Sequence, residues 1–302
     1  MTRHVAVLMG GQSAEREVSL SSGDACARAL RDKGFRVSEV DAGQNLALDL
    51  DRLRPDVCFN ALHGRFGEDG CVQGLLEVLR IPYTHSGVTA SAIAMDKALA
   101  KRLFSAAGLR CTDGLVVPTA EINARDPLQR PYVVKPVREG STFGVRIVEP
   151  GDNRPPIDSD WRYGEQALVE PYVPGRELTV GVMGDRPLAV TDIVTNTAIF
   201  DYRSKYTAGF ATHVLPADIP SAVYDLAMES ALTAHRTLGC SGVSRCDFRF
   251  DERHGAAGLH LLEINTQPGM TGISLVPEQA AHCGISFGDL VAWLVEEARC
   301  HA

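Results

Sequence analysis

The chain has 302 residues, 45% hydrophobic and 23% charged, an ordinary soluble composition with length for two or three cores of roughly 100–150 residues each. A formal charge of −8 excludes a general nucleic-acid surface, whose signature is a basic excess, but leaves room for a local cluster of lysines. The eight cysteines include no C-x-x-C pair and lie among apolar neighbours, and the first apolar run, Val5–Met9, is too short for a signal peptide or a membrane span. A cytoplasmic protein with no nucleic-acid and no membrane partner is expected.

Val5–Met9 has the continuous apolar pattern of a buried parallel strand. It opens into G-G-Q-S-A-E-R-E-V-S-L-S-S and a helix running to Lys33, where Gly34 stops it. Further strands are predicted at Arg36–Val40, Asp56–Leu62 and Ile81–Tyr83, with a helix at Cys71–Leu79. This alternation predicts a doubly wound parallel α/β unit. Gly10-Gly11 with Asp41 after the second strand invites a dinucleotide-binding reading, but the spacing is not G-x-G-x-x-G. Glu15 and Arg16 instead fall beyond the carboxyl end of the first strand, where open α/β sheets bind ligands. The third strand ends in L-H-G-R-F-G-E-D-G, which puts His63 at the same edge, as a ligand group or as a structural histidine.

A single long helix is predicted over Val88–Ala107, carrying Met95, Asp96 and Lys97, and a domain boundary near residue 95. Strands follow at Leu115–Val117 and Tyr132–Lys135. The second ends in K-P-V-R-E-G-S-T-F-G-V and returns into Val145–Val148. The loop Arg138–Gly144 is either a flap whose backbone N–H groups hold anionic oxygens or a plain hairpin turn. Leu168–Val173 is a strand with Glu170 near its end, and Glu177–Met183 begins the last region. Ile199–Pro216 mixes aromatics with Arg203 and Lys205, follows neither helical nor strand period, and is too long for an ordinary connection, so a lid over a site is expected. Helices are expected at Ser221–Leu238 and Phe287–Ala298.

Two runs near the end concentrate chemistry. Strand alternation puts Arg245, Asp247 and Arg249 on one face of Ser244–Phe250, and Glu263 and Asn265 on the face shared by Leu259 and Leu261. The intervening D-E-R-H-G-A-A-G suits a hairpin connection. With the polar faces aligned, Asp247, Glu263 and Asn265 converge beside Arg245, an oxygen-donor set matching Mg²⁺ bound to phosphates. Two half-exposed strands with carboxylates facing water would read the same way.

The blocks G-G-x-S-A-E-R-E-V-S-L, L-H-G-R-F-G-E-D-G, S-x-M-D-K, V-K-P-x-R-E-G-S, D-Y-x-x-K-Y and L-L-E-I-N-T-Q-P-G-M-T-x-x-S-L-V-P, in this order from Val5 to the C-terminal helix, resemble the ATP-grasp superfamily and, within it, the D-alanine–D-alanine ligase family. Leu115–Pro131 is short beside that family, and Thr142-Phe143 stands where a serine and an aliphatic residue are commoner. The resemblance implies a mixed α/β architecture, α+β in part, with three domains: an N-terminal substrate-binding unit (1–94), a central ATP-grasp unit (95–175) and a C-terminal unit (176–302) holding the metal site and the lid loop 199–216. It implies ATP as co-substrate and two Mg²⁺ ions, or Mn²⁺ in their place, on Asp247, Glu263 and Asn265. It further implies that two D-alanine molecules are joined through an acyl-phosphate for peptidoglycan precursors, by a homodimer.

Residue by residue, the resemblance assigns Lys97, Lys135 and Lys205 to phosphate oxygens, Glu170 and Glu177 to the adenine amine and ribose, and Tyr172, Val173 and Leu262 to the adenine slot. Glu15 and His63 would anchor the first substrate, Ser274 and the Leu275 N–H the second carboxylate. Arg245 and the Gly269 N–H would stabilise the oxyanion, and Tyr206, Ser141 and Glu15 would tie the lid to the N-terminal unit. Two alternatives stay open: a related ligase using D-lactate or D-serine as acceptor, and an ATP-binding regulator without turnover.

Overall fold

The computed structural model describes residues 2–195 and 211–301. Lys205, Tyr206 and the 199–210 part of the expected lid lie outside the described residues.

The N-terminal sheet is three-stranded and parallel, in the order β2-β1-β3, from β1 (His4–Met9), β2 (Arg36–Asp41) and β3 (Val57–Asn60). The unbroken apolar run of β1 is explained by burial on both faces. Val5 and Val7 pack with Leu30 of helix α1 (Arg16–Asp32), whereas Ala6 and Leu8 pack with Leu50 of α2 (Leu46–Leu53) and Leu76 of α3 (Cys71–Leu79). The strand expected at Ile81–Tyr83 is only a bridge, Cys58 with Tyr83. Pro82 accepts from the Cys58 N–H at 2.8 Å but has no N–H to continue the ladder. Asp41, the residue that tempted a dinucleotide reading, instead receives the Arg16 guanidinium at 2.7 Å and the Gly11 N–H at 3.2 Å.

The expected helix Val88–Ala107 is two helices, α4 (Val88–Met95) and α5 (Lys97–Ala106). Asp96 breaks it. Its backbone is extended (φ −87°, ψ 93°) and its carboxylate accepts from the Leu99 N–H at 3.0 Å, a cap worth about 1 kcal/mol. Lys97 therefore opens α5, one turn ahead of Lys101. α4 and α5 bury Ala90, Ala94, Ala100 and Phe104 against the C-terminal sheet rather than the central one.

The central sheet is four-stranded and antiparallel, in the order β4-β7-β5-β6: β4 (Leu115–Pro118), β5 (Tyr132–Pro136), β6 (Arg146–Val148) and β7 (Gln166–Pro171). The C-terminal sheet is five-stranded, in the order β10-β9-β8-β11-β12: β8 (Arg176–Met183), β9 (Arg186–Thr195), β10 (Ala211–Val214), β11 (Val243–Phe250) and β12 (Leu259–Asn265). Ala211–Val214, expected as irregular lid, is thus an edge strand paired with β9. Helix α6 (Thr119–Ala124) follows β4, and helix α7 (Ser221–Thr237) covers the C-terminal sheet. The chain ends in α8 (Leu275–His282) and α9 (Phe287–Glu296), whose Leu290, Val291 and Leu294 join the core beneath β1. First and last segments therefore share one core.

The facing of β12 departs from simple alternation. Asp247 pairs with Glu263, but Phe248 pairs with Leu261, so Leu262 is the extra residue of a bulge. Leu259, Leu261 and Ile264 turn into the core, while Glu263 and Asn265 do not share their face. The expectation that Glu263 and Asn265 point the same way as Leu259 and Leu261 fails because one inserted residue inverts the period of two.

Candidate active site

A cleft lies between the central and C-terminal sheets. Lys135 lies one residue before the end of β5, and its Nζ lies 2.6 Å from Glu170 Oε2 on the neighbouring β7. Lys101 contacts the other oxygen, Oε1, which also accepts from Thr112 Oγ1 at 2.9 Å. All three charged groups are buried. Burial alone would push the Glu170 carboxyl up, but Lys135 and Lys101 overcome it and hold the group well below the usual carboxylate range. Burial and then the charge of Lys135 pull the Lys101 ammonium down. Two lysines on one carboxylate leave a cation in excess at the cleft floor, which suits an anionic ligand. Lys97 adds to it, donating to the Glu139 carbonyl at 2.7 Å and lying 3.1 Å from Glu263 Oε2.

The cleft walls carry Tyr172, Val173, Leu262 and Ile147, an apolar slot. Arg249 braces it. The guanidinium lies 5.4 Å from the centroid of the Tyr172 ring, donates to Val173 O at 3.0 Å and comes within 3.6 Å of Glu177. Leu262 enters the slot as the bulge residue of β12.

At the inner end Asp247 and Glu263 stand opposite each other. Asp247 is fixed by the Thr179 hydroxyl at 2.7 Å and by two bonds from Arg245, at 2.8 and 2.7 Å. Asn265 Oδ1 accepts from the Gln267 N–H at 2.7 Å. Among the described residues no three His, Cys, Asp or Glu side chains form a metal cage. Two carboxylates and an amide oxygen instead fit a cation that completes its shell with phosphate oxygens and water, as Mg²⁺ does.

A second group lies where the N-terminal sheet meets the Pro268-Gly269 loop. His63 is buried, with Nδ1 3.2 Å from Glu68 Oε1 and Nε2 3.1 Å from Ser22 Oγ. Ser13 Oγ donates to His63 O at 2.6 Å and accepts from the Glu15 N–H at 3.1 Å, which joins the two loops. A Cβ on Gly64 or on Gly140 would lie 2.8 Å from Glu15 Oε2, so the Arg138–Gly144 loop comes down on this carboxylate. Ser141 follows with a left-handed backbone (φ +54°) and a buried hydroxyl without a hydrogen-bond partner among the described residues. Ser274 precedes α8, its Oγ accepting from the Thr271 N–H at 2.9 Å, and a Cβ on Gly269 would meet that Oγ at 2.9 Å. Leu275 opens α8, where helix N–H groups attract carboxylates.

Lys97, Lys135, Glu170, Tyr172, Val173, Glu177, Leu262, Asp247 and Glu263 thus line one cleft, with Ser141 at its edge. Lys101, Thr112 and Thr179 were not anticipated, and Arg249, expected on the polar face of its strand, was given no role. Lys101 sits four residues after Lys97 on one helix face, a spacing that could have revealed it.

A parallel N-terminal sheet followed by two antiparallel sheets that clasp a lysine-floored cleft is the ATP-grasp architecture. The chain belongs to the D-alanine–D-alanine ligase family: the family model for the D-ala D-ala ligase C-terminus matches residues 116–296, and that for the N-terminus residues 38–86. Relatives named D-alanine–D-alanine ligase include one from Cereibacter sphaeroides, 60% identical over 98% of this chain and 96% of the relative. Another, from Parvibaculum lavamentivorans, is 56% identical over 99% and 98%. Among solved structures, the D-alanine–D-alanine ligase of Bacillus anthracis superposes with a TM-score of 0.81 at 29% identity, covering 98% of this chain and 97% of that one. The same enzyme complexed with ATP gives 0.80 at 28% identity, with the same coverage.

Proposed function

We propose that this protein joins two D-alanine molecules into D-alanyl-D-alanine at the expense of ATP, supplying peptidoglycan precursors. The observation that carries the reading is the meeting, in one cleft, of a buried lysine cluster, an apolar slot and the opposed carboxylates of Asp247 and Glu263. ATP lies with its adenine between Tyr172, Val173 and Leu262, its ribose near Glu177, and its phosphates over Lys97 and Lys135, with Lys205 completing the set. Glu170 serves this ligand at the adenine end, held by Lys101 and Lys135. Asp247, Glu263 and Asn265 hold Mg²⁺, or Mn²⁺, as two ions that neutralise charge on the transferring phosphoryl group.

The first D-alanine sits against Glu15, which pairs with its ammonium, and beside His63. A carboxylate oxygen of this substrate attacks the γ-phosphorus, and ADP leaves. The amine of the second D-alanine, held through its carboxylate by Ser274 and the Leu275 N–H, then attacks the acyl carbon. Arg245 and the Gly269 N–H stabilise the oxyanion. The C–N bond forms as the C–O bond to phosphate breaks, and the attacking amine loses its proton. Tyr206, with Ser141 and Glu15, closes the 199–210 part of the expected lid over this site and excludes water that would hydrolyse the acyl-phosphate.

The units 1–94, 95–175 and 176–302, a homodimer and a cytoplasmic location belong to the same reading. No helix among the described residues is long and apolar enough to cross a membrane. Incubation with ATP, Mg²⁺ and D-alanine, L-alanine, D-serine or D-lactate, with products identified by mass spectrometry, tests it. D-alanyl-D-alanine with one ADP per bond is expected. Depsipeptide or a D-alanyl-D-serine product in excess would move the acceptor, and no ADP at all would favour a regulator.

A further inference from the structure

Asn60 ends β3, and Gln267 follows the metal-site strand β12 by two residues; 207 positions separate them in sequence. Both side chains are buried, at 0% and 2% exposure. Asn60 Nδ2 donates to Gln267 Oε1 at 2.5 Å and to Gly67 O at 3.1 Å, while its Oδ1 accepts from the Leu62 N–H at 3.2 Å. Gln267 Nε2 donates to the Leu62 carbonyl. One bond therefore joins the two amides, and together they hold both backbone groups of Leu62, the residue immediately before His63. On its other side, the Gln267 N–H holds Asn265 Oδ1, and two residues further on is Gly269. A second link runs parallel, because Ser22 Oγ accepts from the Met270 N–H at 3.3 Å and meets His63 Nε2 at 3.1 Å.

We propose that the Gln267–Asn60 pair is a positioning clamp that sets the distance between the first-substrate loop and the oxyanion loop, so that the acyl-phosphate forms within reach of the second amine. The inference rests on the reading of the two loops given under the proposed function. Gln267 touches no reacting atom and acts through Asn265, Gly269 and the His63 loop. A buried amide pair suits this task. Each unmet donor or acceptor would be penalised, so the loops have one registered arrangement rather than a range. A misplacement of about an ångström between reacting groups lowers the rate by orders of magnitude. An acyl-phosphate held out of reach of the amine is instead open to water, giving D-alanine and inorganic phosphate from the same ATP.

The test is the ratio of phosphate released to dipeptide formed, with KM for D-alanine and for ATP, in Gln267→Met, which keeps the side-chain volume and removes both amide bonds. The unmodified protein should give a ratio of one. The variant should give about two or more as water captures the intermediate, with the D-alanine KM raised roughly tenfold for a lost buried hydrogen bond and the ATP KM moved less than about twofold. Gln267→Asn, which keeps the amide but is too short to reach both partners, provides the same readout if Gln267→Met fails to fold. A ratio of one in the folded variants, with only a lower melting temperature or a uniform fall in kcat, would make Gln267 merely structural and overturn the clamp. An unmodified protein that makes no dipeptide from any acceptor would overturn the functional reading, and this inference with it.

Discussion

Asp247 and Glu263 stand directly opposite each other on neighbouring strands, and the register slips by one residue immediately beyond them. The slip lets β12 present two polar groups to the cleft and still bury Leu261 and Ile264 on the other side. Glu263→Gln should therefore leave the fold intact while removing a negative charge that would hold the proposed Mg²⁺ beside the transferring phosphoryl group. Turnover should fall by about a thousandfold or more, since each 1.4 kcal/mol of lost transition-state stabilisation is tenfold. Asp247→Asn should behave similarly. Turnover measured across a Mg²⁺ titration, alongside melting temperature, decides this; near-normal turnover at low Mg²⁺ would remove both residues from the metal site.

The buried triad of Lys101, Glu170 and Lys135 makes a prediction of opposite kinds for its members. Lys101→Met still leaves Glu170 paired with Lys135, so the fold should persist while the weakened hold on Glu170 raises the ATP KM by about tenfold, one hydrogen bond to a charged group. Glu170→Gln leaves two buried lysines without a counter-charge and should destabilise the protein by roughly 3–5 kcal/mol. ATP and D-alanine KM values for the first, and denaturant unfolding for the second, are the measurements. An unchanged ATP KM in Lys101→Met would reduce that lysine to a packing role.

Acid should weaken the fold well above the carboxylate range. Burial holds the His85 imidazole at about 3 and the His235 imidazole at about 4, against an ordinary 6.5. Both folded-state values are depressed, so the unfolded chain takes up protons first. The stabilisation is complete above about pH 6.5, declines as pH falls, and for His235 is spent by about pH 4. Loss of several kcal/mol between about pH 7 and pH 4.5 is the order expected from 1.36 kcal/mol per unit. Denaturant midpoints across this range should fall steadily, and His85→Asn, which tolerates the left-handed backbone at this position (φ +71°), should flatten the decline. A flat profile in the unmodified protein would show that neither histidine is held neutral.

What the sequence disclosed follows from which physical signals are local. The apolar runs of β1 and β11 announce strands, and the block order discloses the architecture and nearly every cleft residue, because strand ends and lysine-bearing loops carry their chemistry in contiguous residues. The bulge at Leu262 was hidden because alternation assumes no inserted residue. Asp96 was hidden because apolar residues continue on both sides of the break. Lys101 lies inside a helix, where a lysine is usually solvated; only the fold brings Glu170 of the central sheet to it. Gln267 sat among turn-forming residues, and nothing near it in sequence hints at Asn60. Tyr206 and Lys205 lie outside the described residues, so their roles rest on the family resemblance.

The approach of Gly140 to Glu15 gives a last, local test of how the central loop meets the N-terminal sheet. A Cβ there would lie 2.8 Å from Glu15 Oε2, 3.5 Å from Glu68 Oε2 and 3.6 Å from Gly64 Cα. The Glu15 side chain is buried, so it has little room to yield, and displacing it moves the proposed partner of the substrate ammonium. Gly140→Ala should consequently raise the D-alanine KM by about tenfold or more, the scale of one charge-assisted hydrogen bond. The ATP KM should change less, because Lys101, Lys135 and the apolar slot of Tyr172, Val173 and Leu262 lie on other elements, and only the Glu139 carbonyl that holds Lys97 belongs to this loop. Gly43→Ala, where an added Cβ meets nothing within 4 Å, is the control for a bare glycine effect and should match the unmodified protein. Should Gly140→Ala bind and turn over D-alanine normally, the loop does not rest on Glu15 in the working enzyme, and the tie among Glu15, Ser141 and Tyr206 would lose its support.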